Sequence, residues 1–202
     1  MEEKDTYYSV KTVSEGLYKE KGSKFLAFVF PVTSDEEVKE KVDALKKQYY
    51  DARHHCFAFI LKPEEGREET YRANDDGEPA HSAGDPILGQ IRSQNLYDVL
   101  VVVVRYFGGT KLGVPGLIHA YKTAAADAIA QNQIVKKTIY KDLSIQFEYT
   151  ATNEVMQLID HFQAQISTQN FAEDCFYQLD IPRSQWQNAK EQFSQIQGVA
   201  LV

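Results

Sequence analysis

The stretch RYFGGTKLG, Arg105 to Gly113, places two cations, two aromatics and three glycines within nine residues, directly after the apolar run Val99 to Val104. Glycines next to a lysine raise the question of a phosphate cradle. A P-loop needs Lys-Ser or Lys-Thr after its last glycine, because the lysine reaches the terminal phosphates and the hydroxyl holds magnesium. Gly113 is followed by Val114 and Pro115, so that chemistry is excluded. Glycines 108, 109 and 113 also miss the G-x-G-x-x-G spacing of a dinucleotide site. A more general capacity remains. A turn that opens a helix presents unpaired backbone N–H groups and the positive end of the helix dipole, and Arg105 and Lys111 add charge for an anion. The opposing reading is that Gly108, Gly109 and Gly113 only permit positive φ in a cramped turn and that Lys111 is solvated. Both readings stay open on spacing alone.

A second candidate is DDGEP, where Asp75, Asp76 and Glu78 could bind a divalent cation or act as acid and base. Asp-Gly and Glu-Pro are equally turn dipeptides. The pentad Ala80-His81-Ser82-Ala83-Gly84 resembles a nucleophile elbow, but a polar loop precedes it where an elbow needs a strand. Cys56 beside His55 pairs a thiol with a base, yet neighbours in a strand point to opposite faces, so Cys56 reads as a packed thiol. His54, His55, His81 and His119 show neither H-E-x-x-H nor C-x-x-C spacing, and a zinc site has little support. Lys19, Lys21 and Lys24 cluster around Gly22 at a hairpin tip, a cluster of interest only if it lies beside Lys111. No residue is assigned as catalytic and no cofactor is expected.

The elements that must position these residues follow from periodicity. Ser34 and Glu37 form a capping box ahead of Val38, Val42, Leu45 and Tyr49, one helical face. His54 to Leu61 reads as a strand. The charged 24-residue segment Lys62 to Asp85 reads as one long loop. Asp85 and Pro86 suit an N-cap and first position of a short helix carrying Ile87, Leu88 and Ile91. The run ending at Val104 reads as a central strand covered on both faces, and Leu117, Tyr121, Ala124 and Ala128 mark the helix after the glycine-rich turn. Beyond Lys137 the order is β-α-β-β-α-β, the split-βαβ arrangement, with Ser184 and Gln187 as a second capping box. The division falls between an N-terminal domain over 1–136 and a ferredoxin-like domain over 137–202.

The chain has 202 residues with 43% hydrophobic and 25% charged content, which fits folded domains rather than a disordered chain. A six-residue apolar run is far short of the roughly 20 residues of a membrane helix. The charged opening MEEKDTYYSV lacks the pattern of a secretory signal, so a cytoplasmic protein is expected. With two cysteines, no disulfide framework is expected. A net charge of −7 argues against coating nucleic acid by bulk charge. From Thr138 onward, three basic residues face eight acidic ones, a balance of −5, leaving 19 against 21, or −2, before it. The acidic half is the better candidate for protein contact, and any basic face belongs to the first half.

KGSKFLAF, ARHHCFAF, NDDGEP with the later AG, PIL, and above all VVVVRYFGGTKLG with GL and AY occur in order over residues 21–125 and resemble the YigZ/IMPACT family. The resemblance implies an α+β protein. Its first domain would be like a small-subunit ribosomal-protein domain and a domain of elongation factor G, and its second, ferredoxin-like, similar to that factor's last domain. It implies a translation-linked regulator contacting RNA or a ribosomal surface through Lys24, Arg105, Lys111 and the Gly108 to Gly113 backbone, with Tyr106 or Phe107 for stacking. Eukaryotic members restrain a starvation-responsive kinase through an additional N-terminal domain, and that role is not expected here. Two departures stand out. GEPAHSAG replaces G-E-P-S-G-T-A-G, and GVPGLIHAY puts His119 where members carry arginine, which weakens the cationic face. An enzyme acting on a phosphorylated or other anionic substrate, and a protein-binding module without nucleic acid, are the alternatives.

Overall fold

The apolar run becomes strand β6, Val99–Tyr106, and all but its last residue are buried. In this computed structural model, which describes residues 5–63, 69–171 and 174–202, β6 is the centre of a five-stranded sheet. Its companions are β2 (Ser14–Glu20), β3 (Ser23–Pro31), β4 (His54–Leu61) and β5 (Thr70–Asn74), in the order β2-β3-β6-β4-β5. Every described pairing is antiparallel. β6 is buried on both faces because helices cover both. α2 (Gly84–Ser93) and α3 (Gly113–Ala130) close one side over Val99, Val101, Val103, Phe25 and Ile60. α1 (Asp35–Gln48) closes the other over Leu100, Val102, Val104, Phe28 and Phe59. The expected 4-3-4 spacing is realised, with Val38, Val42 and Leu45 buried. The capping box forms as well: Ser34 Oγ accepts from the Glu37 N–H at 3.3 Å while Glu37 accepts from the Thr33 N–H at 2.7 Å.

The second unit contains β8 (Tyr140–Phe147), α4 (Thr152–His161), β9 (Gln165–Phe171), β10 (Cys175–Pro182), α5 (Trp186–Gln195) and β11 (Val199–Leu201). Its sheet order is β11-β8-β10-β9 with antiparallel neighbours, so β8 and β9 run the same way with β10 between them. Inward residues of β8 and β10, including Ile145, Phe147, Leu179 and Ile181, share a core with Val155 and Ile159 of α4 and Phe193 of α5. The chain packs as two compact units, one Tyr8–Lys136, the other Lys137–Val202 together with the described residues up to Tyr7. β1 (Thr6–Val10) and β7 (Ile134–Thr138) form a separate two-stranded sheet. Among the described residues no helix is long and apolar enough to cross a membrane.

Three local expectations give way. The segment Lys62 to Asp85 is not all loop: Thr70–Asn74 is an edge strand paired to β4, while residues 64–68 lie outside the described residues. Asp85 does not cap α2; the capping position is Ala83 and has no side-chain bond. Ser184 and Gln187 do not form a capping box, because a 3-10 turn over Arg183–Gln185 precedes α5 and Ser184 instead bonds the Asp5 carboxylate through its backbone N–H and its hydroxyl.

Candidate functional site

The glycine-rich turn leaves the end of β6, and the β2–β3 hairpin tip supports it. Lys21 and Gly22 occupy the left-handed region, at φ 45° and 80°, which lets the hairpin reverse in two residues. Gly108 lies directly on this tip and donates its N–H to Ser23 Oγ at 3.1 Å. A Cβ at Gly108 would sit 1.9 Å from the Gly22 carbonyl carbon, so only glycine fits. The fragments KGSKF and RYFGG therefore belong to one construction although some 80 residues separate them.

Period-two geometry divides the turn's first residues between the two faces of the sheet. Tyr106 points to the α1 side, where it packs against that core, and donates its hydroxyl to Asp51 Oδ1 at 2.7 Å. This bond, with burial secondary, pushes its pKa up to about 12. Arg105 points to the α3 side. Its side chain is 7% exposed, Nη1 donates to Glu78 Oε1 at 2.5 Å, and Nε is buried with no partner among the described residues. Its guanidinium carbon lies 5.4 Å from the centre of the Phe25 ring and 5.7 Å from that of Phe107, within cation–π range. Arg105 is thus not a free surface cation: Glu78, 4% exposed, holds it.

The DDGEP segment is a tight turn with Asp76 at φ 41° and Gly77 at φ 87°, closed by a 2.9 Å bond from the Glu78 N–H to the Asp75 carbonyl. Its three carboxylates diverge. Asp75 accepts from the Ala83 and Gly84 N–H groups at 2.9 and 2.8 Å and from the His81 N–H at 2.9 Å, capping α2 from eight residues upstream. Burial alone would push its carboxyl up, but the three N–H bonds prevail and leave it below the ordinary value. Asp76 accepts from the His55 N–H at 2.7 Å and pairs with Lys46 at 3.3 Å. Glu78 Oε1 takes Arg105 and also the Tyr121 hydroxyl at 2.8 Å. Each carboxylate has its own structural partner, and among the described residues no three His, Cys, Asp or Glu side chains converge as a metal site requires.

Cys56 completes this buried network. Its Sγ lies 3.0 Å from the Asp75 carbonyl oxygen and 3.3 Å from the Tyr121 hydroxyl. Burial pushes the thiol well above its ordinary value, and burial followed by the neighbouring Cys56 and Glu78 does the same to Tyr121. Both groups are neutral hydrogen-bonding parts of the fold.

Above the Glu78–Arg105 pair a cleft of about 480 Å³ opens. Arg53, His54, Phe107, Lys111 and Gly113 line it, with Pro79 and Leu117 contributing apolar surface. Arg53 and Lys111 are exposed. His54 Nδ1 lies 2.9 Å from the Asp76 carbonyl oxygen, which can only accept, so Nδ1 carries the proton. α3 begins at the cleft with no side-chain cap, leaving its first N–H groups available. With Glu78 offset by Arg105, the remaining lining charge is positive. The structure therefore gathers Arg105, Phe107, Lys111, Gly113 and Glu78. It leaves the others outside: Lys24 is exposed on β3 opposite Tyr106, and His119 is exposed on α3, edge-on to Tyr18 at 5.7 Å. Gly109, at φ 89° with open space around it, shapes the backbone. Sequence reasoning missed Arg53 and His54 as lining residues. Their signal is the register that sets His54 opposite Arg105 on β6.

A family model described as the Impact N-terminal domain matches residues 21–129, a range that contains every cleft residue named above. The chain is 28% identical over 176 residues to the IMPACT family member YvyE of Bacillus subtilis, covering 87% of this chain and 80% of that protein. It is 32% identical over 155 residues to an IMPACT family member of Haemophilus influenzae, covering 75% and 73%. A solved structure described as that of a hypothetical protein is similar in fold, with a TM-score of 0.71 and 24% identity over 98% of this chain and 97% of that one.

Proposed function

The chain belongs to the IMPACT family, and from that premise we propose a non-enzymatic, translation-linked regulator that binds RNA or an RNA-bearing ribosomal surface in the cytoplasm. The observation that carries the reading is the cleft itself: Arg53 and Lys111 line it together with the uncapped start of α3, and Phe107, 52% exposed, offers a ring on which a base can stack. A strongly acidic chain that keeps a cationic concavity focuses its attraction there. The sheet order β11-β8-β10-β9 supports reading the second unit as a ferredoxin-like domain similar to the last domain of elongation factor G, and its acidity suits contact with protein. The antiparallel five-stranded unit takes the place of the ribosomal-protein-like domain.

An enzyme of anionic substrates would need a free carboxylate beside the cationic turn. The turn and DDGEP do meet, at Arg105 and Glu78, but Asp75 and Asp76 hold structural partners and Glu78 is committed to Arg105 and Tyr121. This geometry favours binding over catalysis.

The test is salt-dependent binding of single-stranded RNA and sedimentation with ribosomes at low salt. Affinity should fall steeply with salt, and Lys111→Ala should reduce the logarithmic slope by about one unit. Purified protein that retains no RNA and does not sediment with ribosomes at low salt would overturn the reading.

A further inference from the structure

Arg105 is more deeply set than an RNA-backbone contact requires. Its side chain is 7% exposed, Nη1 is placed on Glu78, and the buried Nε has no partner among the described residues. A guanidinium carries five donors, and leaving buried ones unmatched is unfavourable. Arg105 lines the cleft, and the part of its guanidinium that does so can donate to an acceptor from outside the chain. The uncapped start of α3, at Gly113 and Val114, faces the same volume, and Pro115 in the first turn brings no N–H of its own. Lys111 and Arg53 supply charge to the cleft lining, and His54 lines it too, with Nδ1–H committed to the Asp76 carbonyl. One carboxylate, Glu78, lines the cleft, and Arg105 already offsets it.

We propose that this cleft is a pocket for a terminal phosphate, a phosphomonoester at the end of a nucleic-acid strand or on a small metabolite, rather than a groove for internal phosphodiesters. The inference rests on the reading of the cleft as an anion site and deepens it. Depth decides the class. The guanidinium lies beneath Phe107, whose ring centre is 5.7 Å from its central carbon. A phosphodiester brings a sugar on each side, whereas a phosphomonoester needs room for one carrier and offers three terminal oxygens to a guanidinium whose side chain is 7% exposed. Its second negative charge also matches the two unneutralised cations, Arg53 and Lys111, better than the single charge of a diester.

Binding of one single-stranded oligoribonucleotide is compared in three forms, 5′-phosphorylated, 3′-phosphorylated and hydroxyl-ended, with inorganic phosphate and adenosine monophosphate as competitors and as direct titrants. A phosphorylated end should bind at least about tenfold more tightly than the hydroxyl-ended strand, and inorganic phosphate should erase that difference. Arg53→Ala and Lys111→Ala, both at exposed positions, should each remove most of it, while Lys24→Ala, outside the cleft, should not. Equal binding of all three strands with no competition by phosphate overturns the pocket and leaves RNA binding standing. Binding of phosphate or the monophosphate without any strand keeps the pocket, assigns it to a small metabolite and overturns RNA binding. No binding by any probe overturns both.

Discussion

The contact between Gly108 and the Gly22 tip allows a stability prediction with a built-in control. In Gly108→Ala the new Cβ would meet the Gly22 carbon at 1.9 Å, Ser23 N at 2.2 Å and Gly22 O at 2.4 Å, all backbone atoms. Ordinary contact begins near 3.4 Å, so the two segments must part by about 1.5 Å, the difference between 3.4 and 1.9. That separation also breaks the Gly108 N–H bond to Ser23 Oγ. Overpacking costs about 1–3 kcal/mol and a lost hydrogen bond about 1 kcal/mol, so roughly 2–4 kcal/mol is expected. Gly109→Ala is the control: its Cβ meets nothing within 4 Å, and the cost is that of positive φ alone, about 1–2 kcal/mol. With urea m-values of about 1–3 kcal/mol/M, a 3 kcal/mol loss moves the midpoint by about 1–3 M. The single tryptophan, Trp186, lies in the other unit. Hydrogen exchange of the β6 amides, read beside circular dichroism, therefore assigns the loss to the correct sheet. A Gly108→Ala protein as stable as Gly109→Ala would refute the close-approach argument.

Asp75→Ala should cost roughly 2–4 kcal/mol in urea unfolding because three N–H groups lose a charged acceptor, whereas Asp85→Ala, which removes only an exposed pair with His81, should cost under about 1 kcal/mol. His55 is held below its ordinary value, mainly by burial. The unfolded chain therefore takes up that proton first, and His55 withdraws stability as the pH falls through about 6.5 toward the folded value. His55→Phe should make stability between pH 7.5 and 5.5 flatter than in the parent, and an unchanged pH dependence would contradict the burial of the ring. Neither Cys56 nor Cys175 should react with a thiol reagent at pH 8 until the chain unfolds, since both are buried; rapid labelling of Cys56 in the native protein would count against the Cys56–Tyr121 contact.

Much of this fold is legible residue by residue where one face repeats. Val38, Val42 and Leu45, then Leu117, Tyr121, Ala124 and Ala128, mark α1 and α3 because helix burial imposes its period on sequence. β5 escaped notice because Thr70–Asn74 is an edge strand whose residues are exposed or half-buried, so burial left no alternation to read. The cap of α2 was misplaced because capping patterns look to adjacent residues, while Asp75 reaches Ala83 and Gly84 through a folded-back turn. The Arg105–Glu78 pair, 27 residues apart, depends on strand register and carries no periodic trace. Chemical character at the glycine-rich turn could be read from residue types. The concavity that gives it meaning could not, since part of its lining, Arg53 and His54, comes from β4 and the residue before it.

The position of β6 has a consequence for synthesis. It is the middle of its sheet and the last of those five strands to be made. Until residue 106 has left the ribosome, β2 with β3 and β4 with β5 can exist only as two separate hairpins, each with an open inner edge. Neither has the central partner on which its buried side chains depend, and isolated hairpins are marginal in water. The strand they await opens with the uncharged, largely β-branched run Val99 to Val104, the kind of segment that pairs with copies of itself when left exposed. The nascent chain is therefore most vulnerable to aggregation between the emergence of Val99 and the insertion of β6. Slowing that insertion should lower the yield of soluble protein without altering the stability of the molecules that complete it.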